Sequence, residues 1–72
     1  MEVKLFAVFR ENRGKAVKVD WYEGVNGHAV LEALDISPQT VATYLINGKN
    51  ADLGVTLSES DVISIFPPVG GG

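Results

Sequence analysis

Seventy-two residues without a cysteine make one small domain, with disulfides and cysteine-based zinc sites both excluded. Its stability must come from an apolar core, for which a hydrophobic content of 46% suffices, and a single histidine offers no ordinary zinc site. The formal net charge of −3 argues against nucleic acid, which calls for a basic patch to neutralise phosphates, and against a polybasic membrane anchor. No apolar run approaches the ~20 residues of a membrane span and no signal peptide opens the chain, so a soluble cytoplasmic protein is the expectation.

Val3 to Arg10 reads as a first strand, apolar on both faces. Lys4 and Arg10 share parity with Phe6 and Val8, and if the cations mark the outer face then Val3, Leu5, Ala7 and Phe9 point inward. Glu11-Asn12-Arg13-Gly14 is a turn cluster, and Lys15 to Trp21 alternates as a second strand, so the two form a hairpin. Trp21 and Tyr22 are read as core or edge packing. Asn26 is placed to cap a short helix whose Val30, Leu31 and Leu34 fall at helical spacing, and Ser37-Pro38 closes that region. Thr40 to Ile46 is a third strand rich in β-branched and aromatic residues, followed by Asn47-Gly48, a tight-hairpin signal. Gly48-Lys49 lacks the glycine spacing and the following Ser or Thr of a phosphate loop. Asn50 to Ser60 reads as loop with Leu57 as a core plug, and Asp61 to Phe66 as the last strand, with Ile63 and Ile65 inward.

One helix among four to five strands predicts an α+β fold, a sheet covered on one face only. Parity then places Phe6 and Phe66 on the uncovered face, and if Thr43 marks the outer side of the third strand, Leu45 joins them in an apolar patch suited to docking a partner. Single exposed apolar residues are ordinary on any surface, so it is the grouping that carries weight. His28 has no serine or cysteine partner that spacing can vouch for, and the nine carboxylates show no acid–base couple. Nothing has the pattern of an active site that turns over by itself. The sequence divides into a domain over residues 1–66 and a flexible tail over 67–72, Pro67-Pro68-Val69-Gly70-Gly71-Gly72. The prolines stop the strand and favour an extended exit, and side-chain-free glycines can pass through a narrow channel on another protein.

The opening Val3-Lys4-Leu5-Phe6-Ala7-Val8-Phe9-Arg10-Glu11 and the ending Phe66-Pro67-Pro68-Val69-Gly70-Gly71-Gly72 resemble the MoaD/ThiS family of ubiquitin-like sulfur carriers, in its molybdopterin synthase small-subunit form. The middle, Leu34-Asp35-Ile36-Ser37-Pro38 through Val41-Ala42 to Ile46-Asn47-Gly48-Lys49, is similar to the thiamine-type carriers of the same family. The resemblance covers nearly the whole chain. It implies a β-grasp fold, a mixed sheet whose last strand pairs parallel with the first, with one helix on one face. It also implies a carrier rather than an enzyme. The Gly72 carboxylate would be adenylated by a ubiquitin-activating-like enzyme, which uses ATP and magnesium that this chain does not bind, and sulfide or a persulfide would then leave a thiocarboxylate. Gly70 and Gly71 would keep the arm narrow, Phe6, Leu45, Phe66, Pro67, Pro68 and Val69 would meet partners, and a molybdopterin or thiazole synthase large subunit would receive the sulfur. Two alternatives stay open: a ubiquitin-like modifier joined to lysines through Gly72, and a plain β-grasp interaction module with an inert tail.

Overall fold

A computed structural model describes residues 1–68; the expected tail residues Val69, Gly70, Gly71 and Gly72 lie outside the described residues. Strand β1 spans Glu2–Leu5, β2 Ala16–Lys18, helix α1 Gly27–Ala33, β3 Thr43–Ile46, β4 Lys49–Asn50 and β5 Val62–Phe66. They form one five-stranded sheet in the order β2-β1-β5-β3-β4. β5 runs parallel to β1, with Val3 beside Ile63 and Leu5 beside Ile65, and every other pairing is antiparallel. This mixed sheet with one helix is the ubiquitin-like β-grasp. The connection between the two parallel neighbours contains α1, as a parallel pair requires a long crossover.

Alternation fixes the two faces. Val3, Leu5, Ile63 and Ile65 have no exposed surface, and with Tyr44 they form the inner face that joins Val30 and Leu31 of α1 in one core. Leu57 and Val25 plug that core from the loops, as the sequence predicts for Leu57. The Asn26 side chain accepts from the Ala29 N–H at 3.1 Å and starts the helix. Asn47 and Gly48 both take positive φ, as a two-residue hairpin demands. The Asn47 amide donates to Asp61 Oδ1 and its oxygen accepts from the Val62 N–H, so the hairpin also fixes the start of β5.

Several expectations are corrected. β1 ends at Leu5, because Ala7 adopts φ +53 and residues 7–10 wind into a 3₁₀ turn. Ala7 is therefore exposed rather than inward, Val8 is 58% exposed, and Phe9 reaches the core from the turn instead of from a strand. β2 stops at Lys18, short of Trp21. Trp21 and Tyr22 are 36% and 55% exposed and outside the core. The Trp21 indole N–H donates to the Leu57 carbonyl at 2.9 Å, which ties the ring to the surface loop. Thr40 belongs to a 3₁₀ turn over Pro38–Thr40, so β3 begins at Thr43. The segment expected as loop from Asn50 begins with the short strand β4. No helix among the described residues is long and apolar enough to cross a membrane.

Candidate functional site

The outer face of the sheet carries two cross-strand rows. In the first, Ser64 of β5 lies between Lys4 of β1 and Leu45 of β3. In the second, Phe66 stands beside Thr43 on one side and meets Phe6 on the other. The facing of β3 follows from Tyr44, which lies in the core, so Thr43 and Leu45 face outward together. The sequence-predicted trio of Phe6, Leu45 and Phe66 does share one face. All three are half-buried rather than fully exposed, and the two phenyl rings cover each other.

The ring centroids of Phe6 and Phe66 are 4.0 Å apart and the planes differ by 11°, a stacked arrangement. Such a pair contributes about 0.5–1.5 kcal/mol beyond its area burial. The Arg10 guanidinium sits 5.1 Å from the Phe6 centroid, and its Nε donates to the Leu5 carbonyl at 2.8 Å. A cation held over an aromatic face is attracted by the ring quadrupole. Arg10 is the site residue that sequence reasoning missed. Read as an extended strand, residues 6 and 10 lie about 13 Å apart; the turn begun by Ala7 folds Arg10 back over the ring.

β5 ends at this place. The Phe66 carbonyl accepts from the Ala42 N–H at 2.9 Å, so the ladder holds to the last residue of the strand. Pro67 is half-buried and Pro68 exposed. Neither proline has an N–H to extend the ladder. Phe6, Phe66 and the exit of the chain are thus contiguous, with Leu45 one row away. No group of three or more metal-ligating side chains occurs among the described residues. The arrangement offers a partly apolar, cation-edged face beside a departing chain, and the described residues around it supply no nucleophile paired with a base. His28 lies exposed at the start of α1.

A model of the ThiS family matches residues 3–72 of the chain. Among solved structures, small archaeal modifier protein 1 from Haloferax volcanii superposes with a TM-score of 0.80 at 30% identity, over 99% of this chain and 97% of that one. A complex of subunits 1 and 2 of the molybdopterin-converting factor from Helicobacter pylori contains a chain similar at 25% identity, with a TM-score of 0.65, over 99% of this chain and 96% of that one. A search of curated proteins found no match.

Proposed function

Because the chain belongs to the ThiS family over residues 3–72, we propose that it is a sulfur carrier that works through the carboxylate of Gly72. The observation that carries this reading is the family match continuing past the last strand through the glycines, joined to a fold in which β5 ends at the Phe6–Phe66 face.

The chemistry follows from the carboxylate. With an α-carboxyl pKa near ~3.5 it is ionised at neutral pH and is a poor electrophile. A ubiquitin-activating-like adenylyltransferase joins it to the α-phosphate of ATP, with magnesium neutralising the triphosphate, and pyrophosphate leaves. Sulfide then attacks the acyl carbon, AMP departs, and a thiocarboxylate remains. Where a persulfide attacks, its acyl-disulfide product is cleaved by a thiol to the same end. Glycines at 70, 71 and 72 put no Cβ in the way of a narrow channel. Phe6, Leu45 and Phe66 form the docking face, and Pro67, Pro68 and Val69 line the approach. The neighbour from Helicobacter pylori is one subunit of a two-subunit converting factor, which supports a synthase large subunit as the acceptor complex here.

The likeness to an archaeal modifier protein favours a second reading. The same adenylate can be taken by a lysine amine of a target protein, giving an isopeptide bond to Gly72.

The test compares three chains: the native one, one lacking Gly72, and one with an alanine added after it. Each is incubated with the activating enzyme, ATP and a sulfur donor and weighed intact. Only the native chain should show the mass of one oxygen-to-sulfur exchange. Truncation moves the reacting carbon by ~3.3 Å, and misplacements of ~1 Å at a reacting centre can cost ~100-fold in rate. Equal thiolation of the alanine-extended chain would remove Gly72 from the mechanism. Branched Gly-Gly remnants on cellular proteins, without a thiolated species, would favour the modifier.

A further inference from the structure

The chain holds two Asn-Gly pairs, Asn26-Gly27 and Asn47-Gly48. Such a pair is open to a reaction of its own. The backbone nitrogen after an asparagine can add to the side-chain carbonyl carbon, and a glycine there puts no Cβ in its way. The sequence does not separate the two pairs; the fold does.

Asn26-Gly27 is closed to this reaction. The Gly27 N–H, whose nitrogen would attack, donates to the Leu53 carbonyl at 2.8 Å, and Gly27 is buried in the first turn of α1. The Asn26 side chain is turned to the helix, where its oxygen accepts from the Ala29 N–H at 3.1 Å. Reaction there requires the helix start to come apart.

Asn47-Gly48 is built differently. Both residues are exposed in the turn between β3 and β4. The Gly48 N–H meets no acceptor among the described residues, and nothing lies within 4 Å of where a Gly48 side chain would stand. Only the Asn47 side chain is restrained. Its NH2 donates to Asp61 Oδ1 at 2.9 Å, and its oxygen accepts from the Val62 N–H at 2.9 Å. Asp61 is itself held, because its other oxygen accepts from the Ser58 N–H at 2.7 Å. Both polar atoms of the amide are thus engaged by the start of β5, and Cγ reaches the Gly48 nitrogen only when both bonds break.

We propose that Asn47 is a self-modification site, at which the side-chain amide is exchanged for a carboxylate at a rate set by the clamp of Asp61 and Val62. Hydroxide takes the proton of the Gly48 N–H as that nitrogen adds to Asn47 Cγ. The amide nitrogen gains a proton from water and leaves as ammonia, closing a five-membered succinimide. Water then opens the ring. Attack at Cγ breaks the new C–N bond and leaves aspartate. Attack at the backbone carbonyl breaks the original peptide bond and leaves isoaspartate, with the chain routed through the side chain. One water enters, one ammonia leaves, and nothing is oxidised.

Either product undoes the clamp. The N–H donor to Asp61 is gone, a second carboxylate stands in its place, and like charges at that distance repel. Isoaspartate also adds a backbone carbon to a two-residue turn whose length sets the strand register. The Asn47 N–H donates to the Val62 carbonyl at 2.8 Å, and Ile46 pairs with the fully buried Ile63. The disturbance therefore falls where β5 enters the core. Opening of the hairpin permits the reaction, and the reaction favours further opening. This is the end of β5 remote from Phe66, so the proposal stands independently of the chemistry at Gly72.

The full chain is incubated at mildly alkaline pH, folded and in denaturing urea, and the amide-to-acid mass gain is located by fragmentation at each asparagine over time. In urea Asn26 and Asn47 should react at similar rates. In the folded chain Asn47 should react about 25-fold to 100-fold more slowly than in urea, from two net hydrogen bonds at about fivefold to tenfold each. Asn26 should react more slowly still. Asp61→Ala should speed Asn47 in the folded chain by about tenfold and leave Asn26 unchanged, whereas a merely loosened domain would speed both. Asn47→Asp, which is one of the two products, should lower the ratio of folded to unfolded chain by about tenfold. Should Asp61→Ala fail to fold, the native chain in and out of urea and Asn47→Asp decide the matter. The proposal is overturned if Asn26 outpaces Asn47 in the folded chain, or if Asn47 reacts as fast folded as in urea. It is likewise overturned if folded Asp61→Ala leaves the Asn47 rate as it was or raises both sites alike, or if Asn47→Asp is as stable as the native chain.

Discussion

Tyr44→Phe tests the inner face of β3 in a way that pH can read. Tyr44 is 5% exposed, and its hydroxyl finds no hydrogen-bond partner among the described residues. Burial, with a smaller contribution from the Asp61 carboxylate, pushes its pKa up to about 12. At pH ~8 the phenol is neutral in the folded and the unfolded chain, and its removal should cost nothing. Up to about 1 kcal/mol should be gained, because a buried hydroxyl without a partner carries a desolvation penalty. Above pH ~10 the unfolded tyrosine ionises while the folded one keeps its proton. The unfolded state then binds fewer protons, so stability is fully present below pH ~10 and is lost as pH rises through about 12. At pH ~11 the native chain should have lost about 1.4 kcal/mol through this group alone. Every other residue is the same in both proteins and cancels in the difference. Urea unfolding of the two proteins at pH ~8 and ~11 should show the gap in favour of phenylalanine widening by about that amount. A gap independent of pH would mean that the phenol ionises as it does in water. A phenylalanine protein less stable by more than ~1 kcal/mol at pH ~8 would mean that the hydroxyl has a partner.

Three further substitutions probe the same architecture. A Cβ at Gly27 would lie 2.6 Å from the Tyr44 hydroxyl and 2.9 Å from Leu53 Cδ2; Gly27→Ala should therefore destabilise by about 1–3 kcal/mol in urea unfolding, outweighing a helix-propensity gain of at most ~1 kcal/mol. The cost should shrink only in part in the Tyr44→Phe background, because the Tyr44 Cζ contact at 2.7 Å remains, and an equal cost in both would show that the hydroxyl contributes nothing to the clash. Ile65→Ala empties a fully buried site of the central strand and should cost about 2–5 kcal/mol; a loss under ~0.5 kcal/mol would reverse the facing of β5. Phe66→Asp should keep the fold at a loss of about 1–2 kcal/mol, mostly the stacked pair, and weaken binding to the activating enzyme by ~2 kcal/mol or more; unfolding by circular dichroism would place Phe66 in the core.

The features legible in the sequence are those set by local chemistry. Asn47-Gly48 announces its hairpin because few residues tolerate positive φ twice in succession. Asn26 announces the helix start through a side chain able to accept the Ala29 N–H. Ile63 and Ile65 declare their face by alternation with Ser64. The end of β1 was not legible. Val-Lys-Leu-Phe-Ala-Val-Phe-Arg has the composition of one continuous strand, and alanine at positive φ has no local signature. Tertiary packing imposes that turn: it brings Phe9 into the core and folds Arg10 over Phe6. The same blindness misplaced Trp21, whose strand stops early and whose indole N–H finds its acceptor in the distant Leu57 carbonyl. At the candidate site the two phenylalanines and Leu45 could be read from parity, and the cation above them could not.

The position of β5 bears on how a carrier and a modifier differ. β5 lies at the centre of the sheet, between β1 and β3, and with β1 it contributes the fully buried Val3, Leu5, Ile63 and Ile65. An element with that burial opens only when the whole domain unfolds. The Phe66 carbonyl is therefore a fixed point, and under the proposed function a partner that grips the Phe6–Phe66 face counts the residues to Gly72 from it. In the proposed reaction the acyl-adenylate is common to both fates. Sulfide attacking that carbon gives the carrier, and a lysine amine attacking the same carbon gives the modifier. No described side chain beside the exit is placed to favour one nucleophile over the other. The choice then rests with whichever protein covers the outer face while the adenylate exists. Substitutions at Phe6, Arg10 or Leu45 should accordingly shift the balance between thiolated and conjugated product, whereas core substitutions that leave the chain folded should lower neither relative to the other.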